Sequence, residues 1–326
     1  MKFQVGYQEN PKLIEYLIKY RDKISEVYFP WKDFTTGRGM IAAGSEKNLA
    51  ADLCKLSDAG IRLCLLLNGN CYGSQTLMPE FFTRLGKTVE YLTGSYNTVK
   101  VTTASPVIAR FLRQNFPVLS ICASVNMEIG SPEAVEYLLD DFDCFYLKRE
   151  YNYDLARISS MRDFCHAHGK KLYILANSGC LNFCPARTFH DNLVAHQHEI
   201  DANSMAFHGL CTQFMQKNDH AENILAKSNF IRPEDVAAYE DLCDGMKLAT
   251  RTNFNALQIV HAYFNGKFHG NLLDLTEPAH SALLPGRIIA NGHIPADYLM
   301  HRFQCNKTCD KCNYCRTIQR DATVIF

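Results

Sequence analysis

The sequence predicts an α/β protein: a (β/α)8 TIM-like barrel with a long insertion between strands 7 and 8 and a cysteine-rich C-terminal tail. Short apolar runs alternate with longer segments of helical period, which indicates repeated parallel β/α units. Runs such as LCLLL and LYIL are continuously apolar, as is typical of strands buried on both faces. The 326 residues exceed the ~250 of a typical barrel, which leaves room for an insertion and a tail.

The predicted strands are eight short apolar runs: Phe3–Gln8, Glu26–Trp31, Arg62–Asn68, Thr98–Thr103, Val118–Val125, Cys144–Lys148, Lys171–Ala176 and Met246–Thr250. Several of the helical segments between them begin with proline or with an Asp or Ser cap, as helix starts prefer. A doubly wound open sheet is the alternative, but no G-x-G-x-x-G follows the first strand.

Two domains are expected. Residues 1–275 form the barrel, in which an insertion at about 177–245 replaces a single helix, and residues 276–326 form a C-terminal cysteine-rich metal-binding tail. Long loops in compact domains are usually functional, so the insertion is expected to contribute to the active site.

Charge and targeting signals exclude several function classes. Lys+Arg and Asp+Glu balance at 34 each, so the net charge does not indicate a nucleic-acid partner. No apolar run approaches the roughly 18 residues of a membrane span, and the start lacks a signal-peptide layout. A cytoplasmic protein is expected. Its fourteen cysteines would then be reduced, and where clustered they indicate metal binding.

The tail carries the strongest local motif, Cys305-x3-Cys309-x2-Cys312-x2-Cys315. Thiolates at such short gaps can converge on one ion or cluster, which predicts a [4Fe–4S] cluster, with a structural zinc site as the alternative. The first three cysteines also match the spacing of radical S-adenosylmethionine enzymes. The motif lies at the far end of the chain, however, and not after the first strand.

A second cysteine set is expected at the catalytic end of the barrel. Cys180 and Cys184 follow the seventh strand in NSGCLNFCP, Cys211 lies in HGLC, and Cys71 follows the third strand. Barrel active sites form at the carboxyl ends of strands, so these four thiols are predicted to hold a cluster. Cys71 and Cys211 could each instead be an ordinary small buried residue.

Polar residues at the ends of predicted strands suggest a substrate site. Catalytic or substrate-contacting roles are predicted for Arg149, Glu150, Lys247 and Arg251, and cofactor-binding roles for Asn126 and Asn177. Paired arginines suit a carboxylated small-molecule or peptide substrate. Alternatively, Lys148 with Glu150, or Lys247 within its strand, forms internal salt bridges between barrel layers.

The histidine-rich segment RTFHDNLVAHQH places His190, Asp191, His196 and His198 on or near one helix. Histidines at this spacing can ligate a metal, but the order is not H-E-x-x-H, so a zinc protease of that type is disfavoured. No G-x-S-x-G elbow or P-loop is present, and the sequence reveals no nucleophile–base pair.

Two stretches resemble a known family: SGCLNFCP after the seventh strand, and SNFIRPEDVAAYEDLCDGMKLATR at 228–251. They are similar to segments of the collagenase-like peptidase family U32 and its iron–sulfur relatives of oxygen-independent ubiquinone and RNA hydroxylation. The resemblance implies a TIM-like barrel, a [4Fe–4S] cluster on four cysteines near its mouth, and hydroxylation or a related modification without molecular oxygen. The chain departs from the family in its cysteine spacing, in lacking the Glu-x-Phe and Gly-x-Leu-Cys pattern, and in its tail motif.

The leading hypothesis is therefore an iron–sulfur enzyme that modifies an unidentified organic substrate. The modification would be of the hydroxylation type and would not use molecular oxygen. Its tail would hold a second cluster that passes electrons inward from a donor, or would close the mouth as a lid. A non-catalytic iron–sulfur or zinc-binding subunit of a heterodimeric enzyme is the alternative, and a radical S-adenosylmethionine enzyme is the third.

Overall fold

The chain folds into a closed barrel of eight parallel strands, and the predicted fold class is confirmed. The structure is a computed structural model that describes residues 1–41, 46–197, 199, 210–217 and 220–326. All fourteen cysteines carry free thiols.

Each predicted strand is present in or close to its predicted range, and Thr98–Thr103 has the predicted bounds. Several predicted strands are too long because apolar residues such as Tyr7 and Val125 continue the pattern into the mouth loops, where they are buried. The barrel strands are β1 (Phe3–Gly6), β2 (Ile24–Phe29), β3 (Leu63–Leu67), β4 (Thr98–Thr103), β5 (Ser120–Ala123), β6 (Cys144–Tyr146), β7 (Lys171–Leu175) and β8 (Met246–Leu248).

Proline and short polar residues start the helices, as predicted. Pro11, Pro79, Pro106 and Pro132 each open a helix, where a missing N–H costs nothing. Within the described residues the α-helices are α1 (Pro11–Lys19), α2 (Glu46–Asp58), α3 (Pro79–Ser95), α4 (Pro106–Asn115), α5 (Pro132–Glu136), α6 (Leu155–Ala167), α7 (Arg187–Ala195), α8 (Leu210–Met215), α9 (Ile224–Lys227), α10 (Ala256–Asn265), α11 (Tyr298–Phe303) and α12 (Tyr314–Ala322).

Pairing of β1 with both β2 and β8 closes the barrel. All eight neighbouring pairs are parallel. The carboxyl ends of all the strands therefore meet at one rim, which is where barrel enzymes place their active sites.

Polar and aromatic side chains fill the barrel interior. The Lys100 ammonium lies 2.6 Å from a Glu26 carboxylate oxygen and donates a 3.4 Å hydrogen bond to the Tyr173 hydroxyl. Across the barrel, the Tyr146 hydroxyl donates to the Gln4 side-chain oxygen. These contacts join strands that are not neighbours in the sheet, so they cross the interior, which is a packed core rather than a pore.

The tail folds against the insertion. Its strands β9 (Arg287–Ile289) and β10 (Thr323–Ile325) form a two-stranded antiparallel sheet. On α12, the fully buried Gln319 donates to the Ala221 carbonyl at 2.7 Å and accepts from the Leu225 N–H at 3.1 Å. Leu284 and Leu299 join the same apolar cluster as the barrel helices. Residues 276–326 thus form an integral part of the structure.

In the part of the chain that the structure describes, no helix is both long and apolar enough to cross a membrane.

The Glu26–Lys100 pair gives the first prediction. Lys100→Met leaves a carboxylate buried without its cation, which should lower the free energy of unfolding by about 3–5 kcal/mol in urea denaturation. The control Lys55→Met breaks a pair whose lysine side chain is 60% exposed and should cost no more than about 1 kcal/mol. Adding Glu26→Gln to Lys100→Met should recover part of the loss. Equal effects of the two lysine variants would contradict the importance of the buried pair.

Candidate active site at the barrel mouth

A cavity of about 80 Å³ opens at the carboxyl ends of the strands. It is large enough for a small polar group but not for a whole peptide. Four of its charged wall residues are cations and one is an anion. Four predicted site residues, Asn126, Arg149, Lys247 and Arg251, lie on its wall, which comprises Tyr28, Gly37, Arg38, Leu66, Asn68, Val125, Asn126, Arg149, Leu175, Lys247, Ala249, Thr250, Arg251, Thr252 and Glu277.

Lys247 projects from β8 into this wall and is buried. Its ammonium stands 4.0 Å from the ring centroid of Tyr28 and 5.2 Å from that of Tyr146. Burial lowers the pKa of Lys247, and the nearby charge of Glu26 only partly opposes this. Glu26 is already paired with Lys100. Among the described residues, Lys247 therefore has no carboxylate partner of its own.

Arg251 lies just beyond β8 and is oriented by a neutral partner. Its Nη2 donates a 2.7 Å hydrogen bond to the hydroxyl of Thr36, which is fully buried. Desolvation lowers the pKa of Arg251 to about 10, and neighbouring Arg38 acts in the same direction. Glu277 opposes this effect, but its carboxylate lies 3.6 Å from Arg38. Arg251 makes no salt bridge within the described ranges, so the mouth has excess positive charge.

Arg149 is held at the wall by an acid and an amide. Its Nη1 donates to Glu128 at 2.8 Å and its Nη2 to the Asn126 side-chain oxygen at 2.7 Å. Its Nε is buried, with no hydrogen-bond partner in the described part of the chain. Asn126 therefore positions Arg149, whereas a cofactor role was predicted for it. The Arg149–Glu128 pair is an internal salt bridge.

Glu150 does not line the cavity and is only 2% exposed. Its carboxylate lies 2.9 Å from the Nη2 of Arg187 and accepts the Phe183 N–H at 3.2 Å. The predicted substrate contact is therefore not found, because Glu150 instead holds the loop that carries Cys180 and Cys184. Arg187 was missed in the sequence because its partner is distant in the chain and no local motif joins them.

Asn177, for which a cofactor role was predicted, makes hydrogen bonds to backbone groups. Its Nδ2 donates to the carbonyls of Ala249 at 3.1 Å and Leu275 at 2.9 Å, and its Oδ1 accepts the Ala249 N–H at 2.6 Å. The side chain is fully buried, and backbone groups engage both its amide nitrogen and its amide oxygen. Asn177 therefore fastens the end of β7 to the end of β8.

Close backbone packing positions the Cys180 loop. The Gly179 N–H donates to the Glu277 carbonyl at 2.9 Å, and the His280 ring hydrogen-bonds to the Gly179 carbonyl at 2.7 Å. A Cβ at Gly179 would lie 2.2 Å from the Pro278 carbonyl oxygen, so only glycine permits this approach. The glycine of the SGC motif thus fixes the loop at the rim.

Three of the four cysteines predicted at the mouth come together. Burial raises the pKa of the Cys211 thiol, and the thiols of Cys180 and Cys184 raise it further, so the three lie within electrostatic range. Thiolates are the ligands of iron–sulfur clusters, and the set fits one in donor type. In the described residues no three Cys, His, Asp or Glu side chains already have a metal-binding arrangement.

The structure does not bring Cys71, the fourth predicted ligand, to this set. Its thiol lies with His196 on the wall of a different cavity and accepts the Gly73 N–H at 3.4 Å. His196 Nδ1 lies 3.2 Å from a carboxylate oxygen of Glu199. His198, the other histidine at this end of the motif, lies outside the described residues. The structure therefore contains a thiol–imidazole pair that the sequence did not reveal.

The tail cysteines lie between α11 and α12. Cys305, Cys309 and Cys312 are on the connecting loop, and Cys315 is in the first turn of α12. The Cys305 thiol accepts the Lys307 N–H at 3.4 Å. Burial raises the pKa of Cys315, and the other three thiols act in the same direction, so all four lie within electrostatic range. They fit a cluster or zinc in donor type, again without a preformed arrangement in the described chain.

Asn229 connects this loop to the mouth. Its Nδ2 donates to the Glu150 carbonyl at 2.7 Å and the Arg149 carbonyl at 3.3 Å. Its Oδ1 accepts from Lys307 Nζ at 2.8 Å and Arg302 Nη2 at 2.9 Å. One buried side chain thus contacts both regions, although no sequence pattern distinguishes it.

Known proteins that resemble this chain were found both by sequence and by structure. No family model matches the sequence. An uncharacterized protease, MJ1657 of Methanocaldococcus jannaschii, is 25% identical over 324 residues, which cover 93% of this chain and 90% of that protein. The solved structure of the U32 peptidase Mk0906 is 16% identical with a TM-score of 0.55, and the match covers 76% of this chain and 91% of that one.

The chain resembles the U32 peptidases. The family resemblance predicted from SGCLNFCP and residues 228–251 is therefore confirmed. At 16% identity, the similarity to Mk0906 shows the shared barrel fold and nothing about substrate.

The contacts of Asn229 give a testable prediction. Asn229→Ala removes hydrogen bonds to both regions, each worth about 1 kcal/mol. Amide hydrogen exchange should therefore accelerate about tenfold both at 149–151 and at 305–313. The control Asn306→Ala removes contacts made only within the tail loop and should affect 305–313 alone. Unchanged exchange at 149–151 in Asn229→Ala would show that the two regions are not coupled.

Proposed function

We propose that this chain is a cytoplasmic enzyme that modifies a carboxylate-bearing small molecule or peptide at the barrel mouth, by iron–sulfur chemistry of the hydroxylation type without molecular oxygen. The observation that carries the proposal is the pair of cations Lys247 and Arg251, which line the cavity and have no salt-bridge partner among the described residues. The family resemblance supports the type of chemistry.

The charge argument depends on desolvation. A charge removed from water is costly unless a counter-charge or hydrogen bonds compensate it. Glu26 and Glu277 are engaged by Lys100 and Arg38. A ligand carboxylate in the cavity would supply the missing counter-charge, and a guanidinium can bind it through two parallel hydrogen bonds.

The wall residues then have distinct roles. Thr36 orients Arg251, and Asn126 with Glu128 orients Arg149, so both guanidinium groups are positioned before a ligand arrives. Burial lowers the pKa of Lys247, so its Nζ gives up a proton more readily than an exposed lysine does. Tyr28 and Tyr146 shield that nitrogen from water.

The cysteines would hold the redox group. Cys180, Cys184 and Cys211 would bind a cluster at the rim, and Cys305, Cys309, Cys312 and Cys315 a second cluster, with zinc as the alternative in the tail. A bound [4Fe–4S] cluster supplies one-electron transfer. The contacts of Asn229 place the tail loop next to the backbone of Arg149 and Glu150, a short route inward from an external electron donor.

Carboxylate binding can be tested with succinate, benzoate and acetate by isothermal titration calorimetry. Arg251→Gln should weaken binding about tenfold to a hundredfold, because it removes hydrogen bonds between charged groups. Lys247→Met should weaken binding yet preserve or raise the free energy of unfolding, because it removes an uncompensated buried charge. Arg62→Gln is the control, since Arg62 is exposed just before β3, at the opposite rim. If none of the three carboxylates binds wild type, or if Arg251→Gln binds them equally well, the substrate proposal is wrong.

The metal centres can be counted by anaerobic purification, iron and sulfide analysis and electron paramagnetic resonance of the reduced protein. We expect wild type to contain iron and sulfide, Cys180→Ala to lose the mouth signal, and Cys312→Ala to lose the tail signal. Cys54→Ala is the control because Cys54 lies exposed on α2. A colourless wild-type protein that contains only zinc would contradict the iron–sulfur proposal.

A further inference from the structure

A second cavity, of about 350 Å³, lies beside the mouth under the end of α7. Cys71 reaches it from the loop after β3, and His196 and Glu199 reach it from the residues that follow α7. We propose that Cys71, His196 and Glu199 form a second active site, in which a thiol nucleophile and its base act on an ester or amide.

The three side chains form a connected series. The Cys71 thiol and the His196 ring line the same cavity, and each shifts the pKa of the other. His196 Nδ1 lies 3.2 Å from Glu199 Oε1, which leaves Nε2 as the ring nitrogen available to the thiol. A nucleophile within reach of a base that a third group orients is the arrangement required for covalent catalysis.

Accessibility separates Cys71 from the structural cysteines. Cys71 is half-exposed and lines an open cavity. Cys165, by contrast, is buried in the apolar core, where desolvation raises its pKa to about 12. A thiol of that kind is inert, whereas an accessible thiol beside an imidazole is the reactive type.

Electrostatics support the same assignment. Hydrogen bonds from His196 and from the Gly73 N–H lower the pKa of Cys71, and hydrogen bonds with Cys71 and Glu199 raise the pKa of His196. Both shifts favour the thiolate–imidazolium form of the pair over the thiol–imidazole form. The other charged groups that face the cavity are Asp33 from the β2 side and Arg84 from α3.

The reaction balances with water as the second reactant. The Cys71 proton passes to His196, the sulfur attacks the carbonyl carbon, and the bond from that carbon to the alcohol or amine breaks. The leaving group takes the proton from His196. Water then hydrolyses the thioester, which releases the acid and restores the thiol. The cavity has space for the acyl group, and the Gln75 side chain on its wall offers an amide donor near the carbonyl.

Site-resolved alkylation of the full chain by iodoacetamide tests the nucleophile. At pH 7 Cys71 should react about tenfold faster than exposed Cys54, because a lowered pKa raises its thiolate fraction. As pH falls, the reactivity of Cys71 should persist to a lower pH in wild type than in His196→Gln, because His196 lowers the pKa of the thiol. His196→Gln should bring Cys71 to within about twofold of Cys54, whose own rate should not change.

Acyl transfer is tested with p-nitrophenyl acetate, by following nitrophenol release and by locating the acetyl group with mass spectrometry. We expect acetylation of Cys71, loss of turnover in Cys71→Ala and His196→Gln, and unchanged turnover in the control Cys54→Ala, with circular dichroism confirming that each variant is folded. Alkylation of Cys71 at the Cys54 rate, or rapid alkylation with no acetyl group on Cys71, overturns the proposal. Both measurements are independent of the metal centres and of the mouth.

Discussion

Closure of the sheet through β1 determines where every rim residue lies. This four-residue strand pairs with β2 on one side and β8 on the other, and its Gly6 has no side chain to collide with the Tyr28 ring and the Arg251 backbone. A parallel barrel brings the carboxyl ends of all eight strands to one face. Residues from opposite ends of the chain, such as Thr36 and Arg251, become partners only because of that closure.

Charge at the mouth is distributed unevenly. Acids that lie close to the cavity are already engaged by cations: Glu128 forms salt bridges with Lys148, Arg149 and Arg187, and Glu150 with Arg187. These pairs hold loops in place, whereas Lys247 is positioned by aromatic rings. Desolvation makes a buried unpaired charge costly. Such a cost is tolerated more readily at a functional site than in a structural core. The excess of positive charge therefore indicates where a ligand would bind.

The cysteines show how surroundings, rather than residue type, determine chemistry. Cys180 lies on a loop that Gly179 fixes against the Pro278 backbone, near two further thiols. Cys71 lies beside an imidazole and a backbone N–H. Thiols that face other thiols favour metal, because thiolates are the preferred soft ligands. A thiol that faces an imidazole favours nucleophilic chemistry. One barrel face can therefore carry two kinds of sulfur chemistry.

The sequence alone determined the eight strands, the parallel barrel, the long insertion and the cysteine motifs, because hydrophobic periodicity and ligand spacing are local properties of the chain. It also singled out Lys247 and Arg251 as candidates, because β8 and the residues just after it were predicted to end at the rim. It could not assign partners. Asn177 and Glu150 looked like ligand-facing polar residues, yet backbone groups and Arg187 engage them. Only the tertiary structure separated Cys71 from Cys180 and brought it to His196, because contacts between distant segments depend on how the loops pack at the rim, and no local pattern records that packing.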